Sequence, residues 1–159
     1  MDAPHSFEEF FETNRRRLFG AFCVVTGNRH EAEEIVQDAF LRIWERWERV
    51  AHLEDPTGFL FRTAMNVFRN RARRAALAVR KTVGTASTTD DLGTVEDRDE
   101  LARALHPLTP RQRAALVLTD YVGFSSQEAG SILGIRASTV RALSTKARST
   151  VRAATEGWP

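Results

Sequence analysis

SILGIRASTVRALSTKAR, residues 131–148, reads as the end of one helix, a tight turn and a second, basic helix. Gly134 stands where such a turn can require a positive φ, which glycine adopts without strain. Just upstream, Ser125 and Glu128 have the three-residue spacing of a capping box that opens the first helix. Gly130 is expected to let the second helix approach closely. Ile135, Val140 and Leu143 are expected to face the core, leaving Arg136, Ser138, Thr139, Arg141, Ala142 and Lys146 outward. This is the make-up of a helix-turn-helix whose second helix enters the major groove, with small side chains near its start and arginines for guanine edges or phosphates. A plain helical hairpin is the alternative. Five basic residues give only modest affinity, since each neutralised phosphate contributes about 0.9 to the logarithmic salt slope. Stand-alone readers of this kind usually dimerise, yet no heptad pattern persists beyond the motif. The rest of the chain is therefore where further affinity is to be sought.

The 159 residues are 42% hydrophobic and 28% charged, which suits a folded, water-soluble protein. No apolar run approaches the roughly 20 residues that span a bilayer. The start, MDAPHSFEEFFE, lacks the basic-then-apolar order of a signal peptide, so a cytoplasmic location is expected. Cys23 is the one cysteine, which excludes an intramolecular disulfide and a cysteine zinc site and suits core packing. Net charge is +2, but it is unevenly spread. Acidic residues dominate from Glu31 to Asp55, none occurs from Pro56 to Thr89, and Arg62, Arg69, Arg71, Arg73, Arg74, Arg80 and Lys81 accumulate there. A second acid-free segment follows Glu128 and carries Arg136, Arg141, Lys146, Arg148 and Arg152. Two such segments fit two contacts with a polyanion; solvated helix faces are the alternative.

Apolar periodicity predicts helices over about Ser6–Val25, with Phe7, Phe10, Phe11, Leu18 and Phe22 on one face, and over about Arg29–Arg49. Asp55-Pro56 fits the start of a third, running to about Lys81. Residues 82–96, TVGTASTTDDLGTVE, are too poor in bulky apolar groups to order themselves and read as a flexible linker. Further helices are predicted over about Asp97–Leu105, Pro110–Tyr121, Ser126–Leu133 and Ser138–Ala153, with Thr109-Pro110 as a capping pair. The expected fold is all-α: two small helical domains, 1–81 and 97–159, joined by the linker 82–96, the second containing the helix-turn-helix.

EAEEIVQDAFLRIWERW followed by DPTGFLFRTAMNVFRNRARR resembles the core-binding and promoter-melting domain of bacterial sigma factors. LTPRQRAALVLTDYVGFSSQEAGSILGIRASTVRALSTKAR resembles their promoter-reading domain, and the order and size resemble the extracytoplasmic-function group. The resemblance covers about Phe7 to Arg152. It implies RNA polymerase core (the clamp helices of the largest subunit, and the flap) and promoter DNA as partners. An anti-sigma protein that wedges between the domains is a further candidate partner, and neither membrane insertion nor a cofactor or metal is expected. It implies core binding by Glu34, Gln37, Asp38, Arg42 and Trp44; of Trp44 and Trp47, at least one is expected to be core filling. It implies −10 element contacts by His52, Phe59, Arg62, Asn66, Arg69, Asn70 and Arg73, although a loop histidine is often merely a surface residue. It implies −35 contacts by Arg136, Ser138, Thr139, Arg141, Lys146 and Arg148. Where the family often has tryptophan and aspartate, this chain has Phe59 and Asn70, which preserve shape. Where the family often has Arg-Leu, it has Leu143-Ser144, which turns the apolar residue by about 100° around the axis and removes an arginine.

A regulator of the LuxR type shares the look of LTPRQRAALVL, but the N-terminal half shows neither the parallel-sheet pattern nor the phosphoacceptor of a receiver. A nucleic-acid enzyme would need paired carboxylates near the basic surface, a metal-ligand cluster or a glycine-rich phosphate loop. The sequence expectation is an initiation subunit with no catalytic residues of its own.

Overall fold

A computed structural model describes residues 6–81, 101 and 103–157, and every regular element among them is helical. Helix α1 spans Phe7–Thr26, with Ser6 Oγ accepting from the Glu9 N–H at its start and Gly27 at its end. It buries Phe10, Leu18, Ala21, Phe22 and Val25, the face that periodicity predicts and its continuation. Helix α2, Arg29–Glu45, is capped by Asn28 Oδ1 and buries Ala32, Ile35, Ala39, Phe40 and Ile43. The single helix expected to Arg49 instead breaks at Arg46 (φ −118°, ψ 21°), and a short α3 covers Trp47–Val50. The break brings the Trp47 ring onto α1, 5.2 Å from Phe10 and 5.8 Å from Phe7, and offsets the lost helical bond with aromatic burial.

Helix α4, Pro56–Lys81, buries Leu60, Phe61, Ala64, Met65 and Val67, whereas every residue from Ala72 to Arg80 is exposed. The expected linker 82–96 and the start of the helix expected from Asp97 lie outside the described residues. Residues 103–105 are helical.

Helix α5 spans Pro110–Leu116, and its capping box pairs Thr109 with Gln112 in both directions. The α-helix expected to Tyr121 gives way at Val117 to a wider π turn, Val117–Val122. Thr119 donates its hydroxyl to the Ala115 carbonyl at 2.8 Å, a side-chain bond of the kind that competes with the helical ladder. Helix α6, Ser126–Leu133, opens on the Ser125–Glu128 capping box and closes on Gly134 at φ 69°. Helix α7 is Ala137–Ala154. Gly130 admits both the turn and the start of α7: a Cβ there would lie 2.7 Å from the Ile135 carbonyl oxygen and 3.4 Å from the Ala137 nitrogen.

Both helical blocks are present, and they are packed against each other. The first half meets the second where α1 lies on α5 and the π turn, and where α4 lies on α6. One core of buried residues runs through both halves, with Phe61 of α4 edge-on to Phe124 at 5.2 Å. No described helix is long and apolar enough to cross a membrane.

Candidate nucleic-acid interface

On α7 the buried stripe is Val140, Ser144 and Ala147, spaced by four and three residues. Ser144 thus occupies the core position at the Leu143-Ser144 departure, with its Oγ 3.3 Å from Thr119 Oγ1, while half-buried Leu143 packs alongside. The solvent face carries Arg136, Ser138, Arg141 and Lys146, with Thr139 half-buried at its border. Thr145 and Ser149 are also exposed there; counting in threes and fours from Ala142 would have found both. Arg148 is different. Its guanidinium makes two bonds to Asp120, at 2.7 and 2.8 Å, so it ties α7 to the π turn. Those bonds hold the Asp120 carboxyl below the usual carboxylate range and raise Arg148.

On α4, Phe59, Arg62, Asn66, Asn70 and Arg73 fall on one stripe, with Phe59 half-buried and the others exposed. Between this stripe and α2 lies a cleft of about 510 Å³ lined by Arg42, Ile43, Glu45, Arg46, Phe59, Arg62, Thr63 and Asn66, three guanidinium groups against one carboxylate. One ring, one amide and several guanidinium groups around such a cleft are the groups that stack on a base and pair with phosphate. Arg69 leaves this stripe and donates to the Leu133 carbonyl at the end of α6. Burial lowers its pKa, and Arg73, Arg111 and Arg62 add to the effect. Arg111, on α5, was not singled out from the sequence; only the packing of the halves brings it to this cluster. His52 is exposed in the connection between α3 and α4, apart from the residues lining the cleft.

The outward face of α2 carries Gln37, Leu41 and Trp44, with Asp38 and Arg42 paired at 3.6 Å beside them. Trp44 is 59% exposed and Leu41 54%, an apolar pair on an otherwise polar surface of the kind that marks docking sites. Leu41 is a second residue that the sequence did not single out, since an apolar residue in an amphipathic helix looks like core. Trp47, not Trp44, is the core filler. Glu34 faces a different way: its carboxylate accepts from Arg71 of α4 and lies 3.2 Å from His30.

These features place an arginine-bearing stripe on each of two helical blocks, and an exposed apolar pair on α2 beside the first. Residues 10–77 match the family described as Sigma-70 region 2, and residues 98–151 match Sigma-70, region 4. The ECF RNA polymerase sigma factor SigL of Mycobacterium tuberculosis is 31% identical over 126 residues, covering 74% of this chain and 70% of that protein. SigE of Mycolicibacterium smegmatis is 28% identical over 166 residues, covering 94% of this chain; the alignment spans 62% of SigE. The sigma factor RpoE from Bartonella quintana, solved in complex with the anti-sigma factor NepR, superposes with a TM-score of 0.81 at 22% identity. That superposition covers 96% of this chain and 98% of the other. The chain belongs to the ECF RNA polymerase sigma factors, which direct RNA polymerase to promoters.

Proposed function

We propose that the three faces divide the work of initiation, with residues 1–81 and 97–159 as the two working domains and 82–96 as their connection. The α2 face docks on the clamp helices of the polymerase largest subunit: Trp44 and Leu41 supply apolar anchors, and Gln37, Asp38 and Arg42 the polar surround. The α4 stripe takes the opened −10 strand. Phe59 offers a stacking face, Asn66 and Asn70 hydrogen-bond base edges, and Arg62 and Arg73 hold phosphates. The exposed face of α7, with Arg136, Ser138, Thr139, Arg141 and Lys146, reads the −35 duplex. Arg148 contributes by fixing α7 on the π turn, and Glu34 by fixing α2 on α4. The protein performs no covalent chemistry; it supplies binding energy and orientation to the polymerase.

The observation that carries this reading is the exposed Leu41–Trp44 pair on a helix that also walls the cationic cleft, so that protein docking and strand capture share one rigid block. Capture of core polymerase by the purified chain at low salt tests it. Binding that is lost in Trp44→Ala and Leu41→Ala supports the reading, and absence of binding refutes it.

A groove of about 910 Å³ between α1 and α7 supports an anti-sigma partner as well. Its walls include Phe19, Val24, Leu116 and Val151, and Arg16 and Arg152 stand at its edge. An amphipathic helix with acidic flanks fits those walls.

A further inference from the structure

Arg46 both ends α2 and begins α3, and its backbone is pinned from two sides. Its N–H donates to the Ile43 carbonyl at 3.1 Å, and its carbonyl accepts from the Arg49 and Val50 N–H groups at 3.0 Å each. Ile43 and Val50 are buried, and the next residue, Trp47, packs on Phe7 and Phe10. The break therefore does more than seat Trp47. It holds an exposed cation at a fixed point on the wall of the cleft between α2 and α4.

The two walls of that cleft differ in chemistry. α4 offers a ring, a hydroxyl and an amide, from Phe59, Thr63 and Asn66, with Arg62 as its cation. α2 offers Arg42 and Arg46 against the single carboxylate of Glu45. A ring and an amide suit a base, whereas guanidinium groups suit the phosphate joined to it. Several neighbouring cations are already committed: Arg42 to Asp38, Arg71 to Glu34 and Arg69 to the Leu133 carbonyl. Among the described residues no carboxylate pairs with Arg46, so its donors are available to an anion. Trp44 stands two positions earlier, about 200° away around a helix axis, and does not line the cleft. The end of α2 thus turns an apolar side to protein and a cationic side to the cleft.

We infer that Arg46 holds a phosphate of the opened −10 strand, and that the broken end of α2 is the second wall of the strand site whose first wall is α4. The inference rests on the strand reading of the α4 stripe given above. Phosphate contacts fix register without reading sequence, so Arg46 sets where the strand lies and leaves the choice of base to Phe59 and Asn66. The fold has already ordered the Arg46 backbone, so that part of the ordering cost does not fall on binding.

The test is binding of a single-stranded oligonucleotide, taken from the −10 region of a promoter that the holoenzyme transcribes. Anisotropy is read over a series of KCl concentrations, with core polymerase alone as background. Arg46→Ala holoenzyme should bind about tenfold more weakly at low salt. The slope of log affinity against log salt should fall by about 0.7, the value of one phosphate on a single strand. The penalty for a changed −10 base should stay as in wild type, which separates a phosphate contact from a base contact. Arg46→Lys should keep the slope, and Glu45→Gln, which removes the carboxylate from the cleft, should tighten binding. Circular dichroism of each variant checks folding, and core affinity should be unchanged because Trp44 faces the other way. A slope unmoved by Arg46→Ala but lowered by Arg62→Ala overturns the inference and leaves the α4 reading standing. A slope unmoved by either overturns both. Equal loss of core affinity and strand affinity in Arg46→Ala also overturns the inference, since it places Arg46 in the polymerase interface.

Discussion

Arg148 reaches from α7 to Asp120 with two hydrogen bonds, Nε to Oδ2 at 2.7 Å and Nη2 to Oδ1 at 2.8 Å, joining α7 to the π turn. The pair is about half exposed, at 45% and 43%, so its contribution to stability is about 1 kcal/mol or less. Its direction with pH is fixed. Because Asp120 is held below its unfolded pKa of about 3.9, the stabilisation is full above that value and is lost as pH falls through the lower folded pKa. Asp120→Asn should therefore be less stable than wild type near neutrality, and the gap should narrow below about pH 4. Urea denaturation across pH measures this directly; a gap that widens in acid contradicts it.

Ser144 is buried where an apolar side chain would be at home, and its hydroxyl meets that of Thr119. Thr119 also donates its hydroxyl to the Ala115 carbonyl, so that bond does not use Ser144. Ser144→Ala should thus cost no more than about 1 kcal/mol. Ser144→Leu adds two heavy atoms to a packed site and should cost about 1–3 kcal/mol. Thermal unfolding of both variants checks the order, and a stabilised Ser144→Leu would show that the site holds spare volume.

Trp44 is the side chain best placed as an anchor on α2. Trp44→Ala should weaken core polymerase binding by about 2 kcal/mol, or roughly thirtyfold, with unchanged thermal stability. Trp47→Ala should instead destabilise the fold by about 3–5 kcal/mol, since its ring packs on Phe7 and Phe10. Fluorescence anisotropy with labelled core, beside calorimetry, separates the two outcomes.

Asn70 and Arg73 are exposed on the α4 stripe, so replacing both with alanine should slow strand opening while leaving core affinity within about twofold. Permanganate reactivity of unpaired thymines at the −10 element measures the opening. Equal loss of opening and of core binding would place that end of α4 in the protein interface.

Much of this was legible because it is local. Ser125–Glu128, Thr109-Pro110 and Gly134 each fix a cap or turn within a few residues, and all three form as their spacing requires. The break at Arg46 was not legible, because the apolar period continues through it and only the aromatic ring of Trp47 on α1 explains the turn. The π turn was hidden for a similar reason: VLTDYV carries the same apolar residues that an α-helix would. The surface residues were harder still. Glu34, Arg69 and Arg148 have the residue type that the sequence reading asks for, yet each is bonded to a partner at least 28 positions away. Periodicity places a side chain on a face; it does not say which neighbour the fold will bring to it.

The central claim is that this chain delivers RNA polymerase to promoters, and run-off transcription with reconstituted holoenzyme tests it most directly. Templates drawn from a genomic library should yield discrete transcripts, sharing −35 and −10 sequences, when the chain is added to core. Loss of those transcripts with Trp44→Ala at limiting protein is also expected. Transcripts that are the same with and without the chain would contradict the account.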